Sequence, residues 1–235
     1  MNTKIIFENS DFLVLNKPAG VLVHPTAANE PDTLVDWFLE KYPEANKMSW
    51  PDKSRAGIVH RLDKDTSGLI LLAKNPETLI KLQEKFKNHE IKKTYWALVC
   101  GSTPQKDKIE ISIVRDKDKD MMKVQEATYS WTRGTVREAV TEYKTLKYYR
   151  FNEQNLSLVE VSPKTGRMHQ IRVHLKYAGF PLVGDQLYQT KISNLISKEL
   201  GINRQFLHAV KLEFDEFKFD SDLTDDLKKI LSILK

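Results

Sequence analysis

HRLDKDTSGLILLAK, the stretch from His60 to Lys74, places a polar turn directly before an almost entirely apolar segment. The apolar segment, Leu69 to Ala73, predicts a buried strand, because a strand covered on both faces reads as a continuous apolar run. The polar turn before it carries Asp63, which we therefore expect at the rim of a buried sheet. Rims of this kind often hold active sites.

The overall composition is that of an ordinary globular chain. Its 235 residues are 40% hydrophobic, and 37 Lys and Arg against 32 Asp and Glu give a net charge of +5, a modest excess that suits a polyanionic partner without identifying one. No run approaches the roughly 20 apolar residues of a membrane helix, and Met1 to Phe7 lacks the features of a signal peptide. Cys100 is the single cysteine, so no internal disulfide can form, and we expect a cytoplasmic protein.

Turn signals and hydrophobic periodicity divide the chain into short strands and amphipathic helices. Strands are predicted at residues 4–7, 12–15, 69–73, 94–100, 108–114, 138–146 and 156–161, and the turn at 17–20 leads into a further apolar segment at 21–23. Helices are predicted at 33–42 with Asp32 or Thr33 as N-cap, from Asn75 and Pro76 through Phe86, and from Met168 to Ala178 with Gly179 ending it. Without a Pro-, Gly- or Ser-rich linker, residues 1–235 are predicted to form one α+β domain, with a mixed, mostly antiparallel sheet and flanking helices.

Two structural explanations compete with a catalytic role for Asp63. The turn is rich in residues that cap backbone N–H groups, so Asp63 or Asp65 could serve the turn alone. A metal site would use His60, Asp63 and Asp65, but their spacing matches neither a calcium loop nor a zinc helix. His169 and His174 are five residues apart, which places them on different helix faces and not on the shared face of a zinc pair.

Tyr95 and Arg167 are further candidates, each with an ordinary alternative. Tyr95 lies in an apolar strand, where it could be one more buried aromatic residue. Arg167 follows the turn from Ser162 to Gly166 directly and opens the predicted helix at 168–178. Its guanidinium could lie across the mouth of a pocket or contact a phosphate on the surface.

Taken together, these segments resemble the RluA-type pseudouridine synthases, which isomerise uridine to pseudouridine in ribosomal or transfer RNA. The matching segments are LNKPAG with VHP (15–25), HRLDKDTSGLILLAK (60–74), KTY (93–95), KTGRMHQIRVHL (164–175), GD (184–185) and FLHA (206–209). The resemblance covers most of residues 4 to 214. It implies the pseudouridine synthase catalytic fold.

The resemblance also implies a set of catalytic residues. Asp63 matches the catalytic aspartate, Tyr95 the active-site tyrosine, and Arg167 the basic residue that pairs with the aspartate. Pairing with a guanidinium favours the charged carboxylate, which would make Asp63 a ready nucleophile at neutral pH. The family needs no cofactor and no metal.

Substrate contacts follow from the same resemblance. Tyr95 would stack against the uracil and Ile171 would pack the base, while Arg61 matches the arginine that fills the space left by a flipped nucleotide. His169 and Arg172, on the predicted cationic face of the last helix, are expected to contact RNA phosphates.

The resemblance has limits that bear on the substrate. Longer members carry an N-terminal S4-like RNA-binding domain, whereas here the catalytic pattern begins almost at Met1, so we expect a catalytic domain alone. Gln189 stands where the family usually has glycine, and Asp215-Glu216 stands where it usually has His-Pro. The sequence does not identify the target uridine, and a monomer is expected.

Two rival functions remain open at this point. One is a catalytically silent RNA-binding or ribosome-assembly module on the same fold. The other is a metal-dependent phosphodiesterase using Asp63 and Asp65, whose activity a chelator would abolish. A binding module has no need to retain Asp63, Tyr95 and Arg167 together.

Overall fold

The computed structural model describes residues 3–25, 31–116, 121–125 and 135–234. The strands are β1 (Lys4–Glu8), β2 (Phe12–Lys17), β3 (Ser67–Ala73), β4 (Lys92–Cys100), β5 (Lys106–Glu110), β6 (Ile113–Asp116), β7 (Met121–Val124), β8 (Val140–Phe151), β9 (Gln154–Pro163), β10 (Leu207–Phe214) and β11 (Phe217–Asp220). The helices are α1 (Leu34–Lys41), α2 (Pro76–Lys87), α3 (Gln170–Tyr177), α4 (Lys191–Leu200) and α5 (Asp225–Ile233), with short 3-10 turns at Pro43–Lys47 and Lys53–Arg55. None of the described helices is long and apolar enough to cross a membrane.

The described residues form two compact units. The first consists of the chain up to Lys92 together with Ala209–Asp222, and the second of Lys93–His208 together with the residues from Leu223 onward. The predicted α+β class with a mixed, mostly antiparallel sheet is confirmed, because helices flank the sheet and its strand pairs β1–β2, β2–β3, β4–β9 and β8–β9 are antiparallel. A single catalytic domain over residues 1–235 remains a prediction.

In the first unit, the strands follow the order β1, β2, β3, β10, and β11 pairs with β10. All seven residues of β3 are buried, as its apolar sequence predicts. Helix α2 packs on β3 through Leu79 and Leu82, and begins where Asn75 accepts a hydrogen bond from the Thr78 N–H at 2.9 Å. Helix α1 begins with a capping box in which Thr33 and Asp36 bond each other's backbone N–H groups, so Thr33 is the predicted N-cap.

In the second unit, β4, β9, β8 and β5 are neighbours in that order and every pairing is antiparallel. Strands β6 and β7 form a separate hairpin, and Ile113 and Met122 from it pack with Val173 of α3 and Tyr188. Cys100, at the end of β4, is buried, and burial raises the pKa of its thiol to about 12.

The apolar segment at 21–23 forms no strand, and the Leu22 and Val23 carbonyls accept the first N–H groups of α1. Two local predictions are wrong. The predicted strand 108–114 is split into β5 and β6, which pair with different partners. Helix α3 begins at Gln170 and not at Met168, because His169 adopts a left-handed backbone conformation with φ of 54°.

Gly68, the second residue of β3, is required by a close backbone approach. Its φ is +112°, and a Cβ atom there would lie 2.3 Å from the Ala209 carbonyl oxygen and 2.5 Å from the Ala209 nitrogen. Real Cβ atoms do not come so near to backbone atoms. Only glycine therefore allows β3 to lie against this part of β10.

Gly68→Ala is expected to lower the free energy of unfolding by roughly 3 kcal/mol or more, because the added methyl group meets backbone that cannot yield. Gly20→Ala is the matched control in the same unit. Gly20 also has a positive φ, +83°, but a Cβ atom there has nothing within 4 Å. It should cost only about 1 to 2 kcal/mol of backbone strain. Urea unfolding measures both, and equal losses would contradict the steric explanation.

Candidate active site

Asp63 lies half-buried in the turn that leads into β3. The turn is closed by the Thr66 N–H, which donates to the Asp63 carbonyl oxygen at 3.1 Å. The side chain is therefore carried by a short, hydrogen-bonded connection directly before a fully buried strand. This is the rim position that the sequence predicts.

Lys17 anchors this turn from the end of β2. Its side chain has no exposed surface, and its Nζ donates to the carbonyl oxygens of Pro18 at 2.8 Å, Val21 at 2.8 Å and Lys64 at 2.9 Å. The Gly20 N–H donates to the same Lys64 carbonyl at 3.0 Å. The residue that follows Asp63 is thus bonded twice to the segment after β2. Sequence reasoning missed this role, although a lysine at the end of an apolar strand was a visible signal.

Arg61 is exposed, but its guanidinium has a fixed neighbour in the same unit. Its Nη1 lies 3.1 Å from Nε2 of His24, while Nδ1 of His24 lies 2.9 Å from the Pro25 carbonyl oxygen. A neutral ring protonated at Nδ1 satisfies both contacts, donating to the carbonyl and accepting from the arginine. Burial lowers the pKa of His24, and the charges of Arg55 and Arg61 lower it further, so the neutral ring is favoured.

His60 has a packing role in this structure. Its Nε2 accepts a hydrogen bond from the Leu71 N–H at 3.0 Å, and its ring stacks on Phe86 with centroids 4.6 Å apart. Within the described ranges, no three His, Cys, Asp or Glu side chains form a group that could hold a metal ion. The metal alternative for Asp63 and Asp65 gains no support from this arrangement.

Tyr95 lies on β4 in the second unit and is 7% exposed. Its register partner is Val161, near the end of β9 from which the turn toward Arg167 leaves. Lys93 is two residues before Tyr95 and so projects from the same side of β4. Its Nζ lies 3.7 Å from where a Cβ atom at Gly166 would be, and burial lowers the pKa of Lys93 to about 8. Tyr95, Lys93 and the turn before Arg167 thus meet at one end of the β4–β9 pair.

Arg167 is half-buried in the connection between β9 and α3. Its Nε donates to the Glu138 carbonyl oxygen at 3.1 Å, and its backbone N–H donates to the Gln170 side chain at 3.0 Å. Ile171, in the first turn of α3, is 7% exposed. Arg167 is therefore held by the Glu138 carbonyl and by the Gln170 side chain. The role of Gln170 was not predicted from the sequence.

His169 and Arg172 occupy positions other than the cationic helix face that the sequence predicts. Nδ1 of His169 lies 2.9 Å from the Tyr188 hydroxyl. Arg172 is buried and forms a two-point ion pair with Asp185, Nε to Oδ2 at 2.7 Å and Nη2 to Oδ1 at 2.8 Å. Burial alone would raise the pKa of Asp185, but the hydrogen bond and charge of Arg172, together with the backbone N–H groups of Tyr188 and Leu187, outweigh burial and lower the pKa.

The placement of Arg172 on a cationic face of the helix is therefore wrong, because its guanidinium is directed at the buried Asp185 carboxylate. Lys176, on the same helix, is exposed. The substrate-binding roles of Arg172 and His169 stay predictions.

Comparison with known proteins places this arrangement in a family. A family model described as RNA pseudouridylate synthase matches residues 11–177. Ribosomal large subunit pseudouridine synthase D of Borreliella burgdorferi is 40% identical over 212 residues, which are 90% of this chain and 60% of that protein. The uncharacterized RNA pseudouridine synthase YlyB of Bacillus subtilis is 36% identical over 243 residues, which are 100% of this chain and 74% of that protein.

A comparison with solved structures leads to the same family. The human RNA pseudouridylate synthase domain containing 4 structure has a TM-score of 0.74 at 25% identity, covering 98% of this chain and 93% of that one. The chain belongs to the RNA pseudouridylate synthase family. It spans 60% of the length of the B. burgdorferi relative.

The matched region contains every site residue that the sequence predicts, distributed over both units. Asp63 and Arg61 belong to the first unit, and the others belong to the second: Tyr95, Arg167, His169, Ile171 and Arg172. The pairing of Asp63 with Arg167 stays a prediction.

The buried His24 ring generates a pH-dependent stability. Because the folded pKa is lowered, the unfolded chain binds a proton at His24 more readily than the folded chain does. The contribution of His24 to stability is complete above its unfolded pKa of about 6.5 and is lost as the pH falls below that value. The free energy of unfolding is therefore expected to fall less in His24→Leu than in the wild type when the pH is lowered from about 7.5 to about 5.5. Urea unfolding at the two pH values measures the difference.

His89→Asn is the matched control, because His89 is exposed. It should leave the pH dependence as in the wild type. The dependence will not vanish in His24→Leu, because burial also lowers the pKa of His174. A pH dependence unchanged by His24→Leu would contradict the assignment.

Proposed function

We propose that this chain is an RNA pseudouridine synthase that isomerises uridines in ribosomal RNA. The observation that carries the proposal is the family match over residues 11–177, which includes the Asp63 turn, the Tyr95 strand and the Arg167 connection. The names of relatives such as ribosomal large subunit pseudouridine synthase D favour ribosomal over transfer RNA.

Asp63 is the proposed nucleophile. Its carboxylate attacks either the uracil base or C1′ of the ribose, and the N1–C1′ glycosidic bond breaks. The uracil then turns and rejoins the sugar through C5, the bond to Asp63 breaks and frees the carboxylate, the C5 proton leaves, and a proton is gained at N1. The reaction is an isomerisation whose atoms balance without a co-reactant, so we propose that no cofactor or metal takes part.

The other predicted residues have supporting roles in this proposal. Arg167 pairs with Asp63 and keeps the carboxylate charged, while Tyr95 stacks on the uracil and helps to remove the C5 proton. Ile171 supplies an aliphatic wall. Arg61 enters the space left by the flipped nucleotide, and its contact with His24 holds it ready for that role.

RNA binding and cellular location follow as further parts of the proposal. His169 and exposed lysines such as Lys176 contact phosphates and offset the cost of flipping, which is about a few kcal/mol, while Arg172 supports their helix through its buried pair with Asp185. A substrate in ribosomal RNA implies that the protein works in the cytoplasm, away from membranes. We propose that it acts as a monomer.

Asp63→Asn is expected to abolish turnover, by at least about a thousandfold, because an amide is neither charged nor nucleophilic. The measurement is tritium release from RNA labelled at uridine C5, on total host RNA, with and without a chelator. Fold and RNA affinity should be retained.

Asp65→Asn is the matched control for Asp63→Asn, since Asp65 lies in the same turn and is also half-buried. It should remain active. RNA cleavage without tritium release, lost in both variants and in the chelator, would support the metal-dependent phosphodiesterase. An inactive wild type that still binds RNA, on substrates that include ribosomal and transfer RNA, would support the silent binding module. Unfolding of Asp63→Asn would support a turn-capping role.

Arg167→Lys is expected to reduce kcat by about ten- to a hundredfold, because an ammonium cannot reproduce a two-point guanidinium contact with a carboxylate. The tritium assay measures it. Arg204→Lys is the control, since Arg204 in the second unit also forms a two-point ion pair, with Asp226, and lies outside residues 11–177 that the family model matches. Arg204→Lys should keep full activity, and an unchanged rate in Arg167→Lys would show that the pairing with Asp63 is unnecessary.

A further inference from the structure

Gln170, the first residue of α3, has a side chain that is almost completely buried, with 3% of its surface exposed. Its Oε1 accepts from the Thr165 hydroxyl at 2.7 Å and from the Arg167 N–H at 3.0 Å. Its Nε2 donates to the Val140 carbonyl oxygen at 2.9 Å and to the Thr141 hydroxyl at 3.0 Å. An amide group offers two acceptor sites and two donor hydrogens, and all of them are used here.

These bonds connect the turn before α3 to the beginning of β8. Two further bonds reinforce the connection: the Val140 N–H donates to the Thr165 hydroxyl at 3.1 Å, and the Lys164 N–H donates to the Val140 carbonyl at 2.9 Å. Gln170 is the one side chain among these groups that bonds to the turn on one side and to β8 on the other. The turn cannot move away from β8 without breaking bonds inside a dry environment, where each unpaired polar group is costly.

Arg167 is the residue whose backbone this network fixes. Its N–H is bonded to Gln170, its carbonyl accepts the Gln170 N–H at 3.2 Å, and its Nε reaches the Glu138 carbonyl. The next residue but one, His169, has the left-handed φ of 54°. A non-glycine residue holds such a conformation only where its surroundings over-determine it.

We propose that Gln170 is a positioning residue for Arg167, acting through the Arg167 backbone and not on the RNA. This inference rests on the proposed function, in which the Arg167 guanidinium meets the reacting centre. Loss of the Gln170 amide leaves Arg167 present but displaced, and a displacement of about 1 Å can cost as much as a hundredfold in rate. Binding of RNA, spread over many phosphate contacts, is little affected.

The first test is Gln170→Met, which keeps the length of the side chain and removes all four hydrogen bonds. We expect kcat to fall by about ten- to a hundredfold while KM and the Kd for RNA stay within about threefold. Ser157→Ala is the matched control. Ser157 is also fully buried and its hydroxyl also bonds twice, to Gly101 and Thr103, but it lies on β9 away from the turn. It should lose stability and keep kcat.

A double variant separates positioning from a general structural effect. If Gln170 acts through Arg167, Gln170→Met added to Arg167→Lys lowers kcat by no more than about twofold beyond Arg167→Lys alone. Losses that multiply in the double variant, or a kcat unchanged in Gln170→Met, would overturn the inference. Should Gln170→Met fail to fold, Thr165→Val removes two bonds of the network, the one to Gln170 and the one from the Val140 N–H, and an unchanged kcat in that variant would overturn the inference equally.

Amide hydrogen exchange provides a readout that does not depend on activity. The Arg167 N–H should exchange at least about tenfold faster in Gln170→Met than in the wild type, while amides in the centre of β4 stay protected. Unchanged exchange would refute the positioning role whatever the enzyme does. In a further outcome, the wild type releases no tritium while the Arg167 N–H still exchanges faster in Gln170→Met. That result would support the positioning of Arg167 and reject the proposed function.

Discussion

A lysine ammonium without exposed surface holds the turn on which Asp63 lies. Removing such a charge from water costs several kcal/mol, and here three carbonyl oxygens, from Pro18, Val21 and Lys64, offset that cost. The carbonyls belong to two segments distant in sequence. If either segment moved, the ammonium would be left with too few acceptors inside the protein. The burial of Lys17 therefore makes the geometry around Asp63 an all-or-none property of the first unit.

The second unit uses the same physical device with different groups. A buried amide holds the turn of Arg167, and the buried pair of Arg172 and Asp185 fixes the start of α3 to the segment from Asp185 to Tyr188, whose backbone N–H groups also bond the carboxylate. In both units, a half-buried side chain with proposed chemistry lies on a turn, and a fully buried polar side chain bonds the backbone of that turn. A buried side chain thus fixes the backbone that carries the reactive group, and the reactive group itself makes none of these bonds.

The sequence predicts the apolar elements well and the polar network poorly. Strand β3 was predictable because burial on both faces leaves a continuous apolar run, and helix α2 because burial of one face leaves a periodic apolar stripe. Arg172 was placed on a cationic face because helix periodicity gives the direction of a side chain and does not reveal that a buried carboxylate, Asp185, lies in that direction. The start of α3 was missed for a similar reason, because nothing in the sequence MHQIR (168–172) indicates that His169 adopts a left-handed backbone conformation. Lys17 and Gln170 read as ordinary polar residues until their partners, which lie far away in sequence, are known.

The burial of Cys100 makes the protein convenient to label. With the pKa of its thiol raised to about 12, almost no thiolate exists near neutral pH, and thiolate is the form that maleimides attack. Cys100 is also the single cysteine of the chain. A cysteine introduced at an exposed position would be the main reactive thiol of the native protein. A fluorophore could thus be placed on either unit, without first deleting a native cysteine, to follow RNA binding.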